Sequence, residues 1–248
     1  MTEQPDNTPG SDPRSTELAE RLAKVRKRIA VAAESAGRGD HPPSLIVVTK
    51  FHPAEDIRRL AVLGITDVGE NRDQEAAAKA LELADLNLTW HFVGQLQTKK
   101  AKSVARYAAA VHSVDRPQLV DALAKSVRNE MEASGRSRLD CFIQVSLEDD
   151  GGTHRGGAAP GDVPILAEQI TGTDSLNLAG VMAVAPLGAP PEPAFEKLAG
   201  VSARLAAAYP GATGISAGMS QDLEAAIRFG ATHLRIGSDI LGSRPAVG

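Results

Sequence analysis

Along the chain, short apolar runs alternate with longer stretches in which apolar residues recur every three or four positions. The first periodic stretch places Leu18, Leu22, Val25 and Ile29 on one face and ends near Gly37, which predicts an opening helix. Apolar runs then follow at 45–49, 65–69, 90–94, 110–114, 140–146, 179–185, 212–216 and 232–237, each closed by turn residues. Continuous runs of this kind suit strands that are covered on both faces. Between them helical spacing spans 53–63, 71–83, 98–107, 117–133, 163–170, 191–209 and 219–229, and a last short helix begins near Ser238.

Eight strands alternating with eight helices in 248 residues predict a single (β/α)8 TIM barrel with one extra helix in front of it. A doubly wound open sheet is the alternative. Against it, such sheets usually carry a glycine fingerprint after the first strand, where this chain has "TKFHPAE". Residues 1–15 are polar and Pro-rich with nothing to bury and predict a disordered tail, which leaves 16–248 for the barrel domain.

Composition narrows the function classes. A net charge of −4 offers no general attraction to nucleic acid or to an anionic membrane, and the basic run at 99–102 reads as a solvated helix face. No apolar run approaches the roughly 18 residues needed to cross a bilayer, and no secretory signal pattern opens the chain. The single cysteine, Cys141, cannot form an internal disulfide and is expected to pack in a strand. Together these predict a cytoplasmic protein. The six histidines show no metal-ligand spacing, so no metal site is expected. No GxSxG or Walker pattern occurs.

The chemistry begins with "SLIVVTKFHP" at 44–53, a core strand with an ammonium group at its exit. In a barrel, functional groups collect at the carboxyl ends of the strands, so Lys50 becomes a neighbour of Glu70, Asn71, Gly94, Gln95, Ser113, Asp115, Met182, Ser216 and Arg235. A lysine enclosed by protein walls loses hydration, which predicts a lowered pKa and an amine able to attack a carbonyl. After the seventh and eighth strands come Gly218 and Ser220, then Gly237 and Ser238, each pair expected at a helix start. Barrels often build a phosphate site from these loops. The picture is a cup with an amine on one side and a dianion cradle on the other. Its carbonyl could belong to a sugar phosphate or to pyridoxal phosphate. Arg235 is expected to face the mouth, bound to a ring nitrogen, a phosphate or an acidic neighbour such as Glu70. The acidic, glycine-rich 148–157 stretch reads as a mobile loop on the same face.

Six motifs in order, "VVTKFHP", "GENRDQE", "WHFVGQLQTKKAK", "GVMAVAP", "GMSQDLEAAI" and "RIGSDILGSR", resemble those of the pyridoxal phosphate homeostasis protein family, which is alanine racemase N-terminal-domain-like. The resemblance spans about residues 16 to 245. It implies a fold-type III barrel holding pyridoxal phosphate as a Schiff base on Lys50. The turn of Gly218, Met219 and Ser220 would grip the phosphate together with Gly237 and Ser238, with Ser216 nearby. Arg235 would face the pyridine nitrogen, and Asn71 and Met182 would line the ring. Many relatives have threonine where this chain has Ser238, a change that keeps the hydroxyl.

The same resemblance implies a carrier and regulator of pyridoxal phosphate with no catalytic residue. Alanine racemases add a tyrosine from a C-terminal β-domain of a partner subunit. This chain ends after the barrel and has only Tyr107 and Tyr209, both outside the motifs. A monomer is expected, with apoenzymes that need the cofactor as the implied partner class. A slow amino-acid racemase is the second reading. A Schiff-base aldolase acting on sugar phosphates, without the cofactor, is the third.

Overall fold

The computed structural model describes residues 12–147, 156–186 and 188–244. Eight parallel strands follow one another around a closed barrel: β1 (Ser44–Val48), β2 (Asp67–Glu70), β3 (Thr89–Phe92), β4 (Ala110–Val114), β5 (Leu139–Gln144), β6 (Leu176–Met182), β7 (Gly214–Ser216) and β8 (His233–Ile236). Closure comes from β8 lying beside β1, with Ile46 opposite Arg235 and Val47 opposite Ile236. Parallel neighbours need a crossover, and seven helices supply it: α2 (Ala54–Val62), α3 (Asp73–Glu82), α4 (Ala101–Val104), α5 (Pro117–Ser134), α6 (Val163–Thr171), α7 (Glu192–Ala208) and α8 (Leu223–Arg228); α1 (Pro13–Ser35) precedes the barrel and α9 (Ser238–Leu241) follows its last strand. The (β/α)8 barrel is thus the observed architecture.

Strand alternation divides the core in two. Val47, Val68, Trp90, Phe92 and Val111 belong to the large apolar layer shared with helix residues such as Leu60, Leu119, Leu123 and Leu198. A separate cluster of Ala110, Phe142 and Met182 sits apart from it. Each buried leucine or phenylalanine in these layers stabilises the fold by about 1.5–3 kcal/mol. Cys141 lies fully buried in β5, where burial pushes its thiol pKa up, so it packs as expected.

Helix α1 buries Leu18, Leu22, Val25, Ile29 and Ala33 and lies against α8 and α9. It begins earlier than composition predicts. Asp12 caps it with an extended backbone, Pro13 takes the first turn, and Arg14 binds the Asp56 carboxylate at 2.7 Å and the Leu241 carbonyl at 2.9 Å. Residues 12–15 are therefore cap and first turn, while the rest of the predicted tail lies outside the described residues.

Strand β6 also starts before the predicted 179, because Leu176 to Leu178 pair with Leu139 to Cys141. Gly180 then breaks the register at φ 150°, where a Cβ would come within 1.9 Å of the Gly214 carbonyl oxygen. Only a glycine allows β6 and β7 to approach this closely. Among the described residues, no helix is long and apolar enough to cross a membrane.

Candidate functional site

At the exit of β1 the chain turns sharply. Lys50 follows Thr49, and Phe51 takes the left-handed conformation at φ 68°, which is unfavourable for an aromatic residue and must be enforced by its surroundings. Buried charge enforces it. The Glu75 carboxylate accepts the Phe51 amide at 2.6 Å, and the Lys79 ammonium donates to Glu75 at 2.7 Å, Glu70 at 2.6 Å and the Thr49 carbonyl at 2.8 Å. The Thr49 hydroxyl donates to the same Glu70 oxygen at 2.7 Å. The backbone on both sides of Lys50 is therefore tied to one network, in which Lys79 and Glu70 are buried. Burial pushes the Glu70 carboxyl above its usual range, with Lys79 opposing. Its second oxygen has no hydrogen-bond partner among the described residues.

Lys50 itself is exposed, which corrects the expectation of a lysine enclosed by protein walls. β1 ends at Val48, and the turn that follows leaves the Lys50 side chain open to solvent. Its Nζ lies 5.9 Å from the Phe51 ring centroid, and the guanidinium groups of Arg72 and Arg244 lie 4.9 and 4.3 Å from it. Three cations around one aromatic ring make this rim attractive to an anion.

The serine cradle is shaped by backbone geometry. Gly218 has φ +93°, and a Cβ there would meet Ala226 Cβ at 2.7 Å and Leu234 Cδ2 at 2.8 Å. At Gly237 a Cβ would lie 3.1 Å from the Val48 carbonyl oxygen, so the exits of β8 and β1 are in close contact. Ser220 and Ser238 bring their hydroxyls within 3.4 Å of each other. Asp222 accepts the Met219 amide at 2.6 Å and precedes α8 without a side-chain capping bond to it; the helix begins only at Leu223, later than the predicted 219. Because α8 and α9 have six and four residues, the cradle consists of turn amides and hydroxyls, with little helix dipole behind it. Arg28 of α1 clamps both turns from outside. It donates to the Ser220 carbonyl at 3.0 Å, to Glu224 at 2.9 Å and to Asp239 at 2.7 Å.

Barrel closure puts Lys50 beside this cradle, where the sequence alone pictures the two on opposite sides. Val47 is level with Ile236, so the turn holding Lys50 and the turn holding Gly237 and Ser238 leave adjacent strands.

Arg235 is buried on β8 and donates to Ser216 Oγ at 2.6 Å and the Ala183 carbonyl at 2.9 Å. Burial lowers its pKa to about 10, which leaves it charged at neutral pH. Glu70, the acidic neighbour that stood as an alternative partner for Arg235, is paired with Lys79 instead. Met182 packs with Phe142 and Ala110 in the smaller core cluster. Asn71 follows β2 directly, and its side-chain oxygen is buried without a partner among the described residues. The predicted loop at 148–157 lies outside the described residues except for Gly156 and Gly157.

Sequence reasoning missed three things. Glu75 and Lys79 read as an ordinary i,i+4 helix pair, a spacing that gives no hint of burial. Phe51 gave no signal for its backbone conformation. Histidine spacing speaks only to metal ligation and gives no sign that His91 and His112 pair with each other. Their shared pattern, a histidine directly after an apolar residue inside two successive strand-like runs, is the available clue.

The sequence matches the alanine racemase N-terminal domain family over residues 21–245. It is 46% identical over 223 residues to the pyridoxal phosphate homeostasis protein of Corynebacterium glutamicum, covering 89% of this chain and 99% of that one. PipY of Synechococcus elongatus, solved without PLP, is 34% identical with a TM-score of 0.77 over 91% of this chain and all of PipY. The same protein with PLP bound gives 33% and 0.75, with the same coverage. Alanine racemase from Corynebacterium glutamicum shares the fold at 14% identity and a TM-score of 0.63, with 91% of this chain matching 60% of that one. The chain therefore belongs to the alanine racemase N-terminal domain family and, within it, to the pyridoxal phosphate homeostasis proteins.

Proposed function

We propose that this chain binds pyridoxal phosphate at the carboxyl end of its barrel and acts as an intracellular carrier that limits the free cofactor, without strong catalysis of its own. The residues present fit such a group. Two hydroxyls from separate turns converge where side chains are excluded at Gly218, three cations surround the rim, and Asn71 offers an unsatisfied oxygen. The observation that carries the reading is the adjacency of Lys50 and the Ser220–Ser238 pair across the β8–β1 closure.

When bound, pyridoxal phosphate supplies an aldehyde that condenses with a primary amine, with loss of water. Lys50 is the amine at the mouth, held in place by the Glu70–Lys79–Glu75 network on its flanking backbone. Ser220, Ser238 and the turn amides would hold the phosphate, and Asn71 and Met182 would line the ring. Arg235, charged at neutral pH, would offer a donor to the ring nitrogen, keeping it unprotonated and the ring a poor electron sink.

The tyrosines support carriage over racemisation. Tyr107 Oη is buried without a hydrogen-bond partner among the described residues, and burial raises its pKa. Tyr209 follows α7 in the outer layer. Neither offers a second acid–base group at the mouth.

The test is the absorption spectrum of the purified protein with added pyridoxal phosphate. A yellow chromophore in the unaltered chain that is absent from Lys50→Ala is expected. A chromophore retained by Lys50→Ala would overturn the reading. Deuterium exchange at Cα of added amino acids should stay near background; rapid exchange would favour the racemase.

A further inference from the structure

Five side chains form an unbroken hydrogen-bonded series through the barrel. Asp67 Oδ1 is 3.0 Å from His91 Nε2, and His91 Nδ1 is 2.9 Å from His112 Nε2. His112 Nδ1 is 2.8 Å from Ser216 Oγ, which accepts from Arg235 at 2.6 Å. Asp67 is the first residue of β2, and Ser216 is the last of β7. The series thus links strands on both sides of the barrel and runs from the amino end to the carboxyl end.

Donor chemistry fixes its direction. A guanidinium can only donate and an ionised carboxylate can only accept. With both rings neutral, His91 holds its hydrogen on Nε2 toward Asp67 and His112 holds its own on Nε2, which leaves Ser216 to accept from Arg235 and give its proton to His112 Nδ1. His112 then carries hydrogen on Nε2 and donates to His91 Nδ1, and His91 in turn donates from Nε2 to the carboxylate. Every bond points from Arg235 toward Asp67, with both histidines neutral. Burial holds the His112 pKa well below the usual range, which agrees. Phe142 stacks on the His112 ring at 4.3 Å with an interplanar angle of 13°, and so restrains its plane.

We infer that Asp67, His91 and His112 are positioning residues for Arg235: the acceptor-only carboxylate at the foot of the barrel sets the direction of the whole series and thereby the orientation of Ser216 and the guanidinium. Asp67 also lines a cleft of about 390 Å³ with Arg26, Pro42, Pro43 and Thr66, outside the proposed cofactor site. With both rings neutral, the other self-consistent arrangement reverses every bond except the one from Arg235. It needs a donor in place of the Asp67 carboxylate, and it makes Ser216 accept from both Arg235 and His112, so that the serine proton turns to a new acceptor. What happens in the basal cleft is thereby coupled to the mouth.

The relevance to the cofactor rests on the reading that pyridoxal phosphate binds beside Arg235; the direction of the series does not. Two measurements separate them. In ¹⁵N NMR of the full chain without cofactor, His91 and His112 should both be neutral with hydrogen on Nε2. An Nδ1–H or cationic form of either would overturn the series.

Asp67→Asn replaces an acceptor by a group that can donate or accept at the same size. Both tautomers of both histidines should then appear, and Asp67→Glu should restore the single form. The chromophore of the loaded Asp67→Asn protein should shift its absorption maximum, and pyridoxal phosphate should be retained about three- to thirtyfold less well. Unchanged tautomers and an unchanged chromophore in Asp67→Asn would overturn the inference with the binding reading intact. A chain that forms no chromophore at all would overturn the binding reading and the role toward the cofactor, while the tautomers would still decide the direction.

Discussion

On the lysine side of the mouth, position is set by buried charge: Lys79, Glu70 and Glu75 grip the backbone before and after Lys50. On the serine side it is set by backbone shape, with Gly218 and Gly237 admitting close approach and Arg28 clamping the two turns from the surface. Buried ion pairs are stiff but fail sharply when one partner is lost, because the other charge is stranded. Glycine turns fail when a side chain intrudes, and surface clamps fail gradually. An amine that must meet one small electrophile calls for a fixed backbone. A phosphate, gripped by several amides and hydroxyls, tolerates a softer frame.

The largest effect is expected from breaking the charged side. Lys79→Met strands Glu70 and should cost about 3–5 kcal/mol in urea unfolding, together with loss of the chromophore. The double variant Lys79→Met/Glu70→Leu removes both charges and should recover most of the stability but not the chromophore. Full recovery of both would show that the network does not position Lys50.

Next comes the shaped side. Gly218→Ala puts a Cβ into the contact with Ala226 at a left-handed φ and should cost about 1–3 kcal/mol. Phosphate-dependent retention should fall further than binding of pyridoxal without its phosphate. Equal losses for both ligands would deny the cradle its role.

The neutral histidines between the two sides give a pH signature. Burial lowers the pKa of His52 and His112 below the ordinary 6.5 and takes His233 to about 4. Between those values the unfolded chain binds protons that the folded chain does not, so stability is full above 6.5 and is lost as pH falls. Each such proton contributes a slope of about 1.4 kcal/mol per pH unit. Glu70 and Asp222, whose carboxyl pKa values burial raises, one on each side of the mouth, bind protons first in the folded chain and oppose the trend. Net destabilisation is expected from pH 6.5 to 5 in urea melts, with a shallower slope in His233→Gln. A profile that stays flat in a variant with Glu70→Gln and Asp222→Asn, where the opposing carboxyls are gone, would mean that these rings take up protons in the fold as they do in the unfolded chain.

The smallest effect belongs to the clamp. Arg28→Gln loses half-exposed pairs worth about 0.2–1 kcal/mol each and should weaken retention only a few-fold, more so at low salt where such pairs matter most.

The serine side was the more legible in the sequence because glycine and serine have few local roles, and two such turns after the last strands suggest a phosphate. The barrel was legible from strand-to-helix alternation, and β6 was misplaced only where Gly180 shifts the register. The lysine side was legible as a position and illegible as an environment. Whether Lys50 is enclosed depends on where β1 ends and how Phe51 turns, and both depend on Glu75 and Lys79, residues that sequence spacing assigns to a helix surface. His91 and His112 were visible as residues, but their partnership requires β3, β4 and β7 to face one another across a closed sheet.

The central claim is that Lys50 carries the bound vitamin. Borohydride reduction of the protein loaded with pyridoxal phosphate, followed by peptide mass spectrometry, tests it directly. One modified peptide is predicted, with the added mass on Lys50; modification spread over surface lysines, or placed on Lys79 or Lys99, would contradict it.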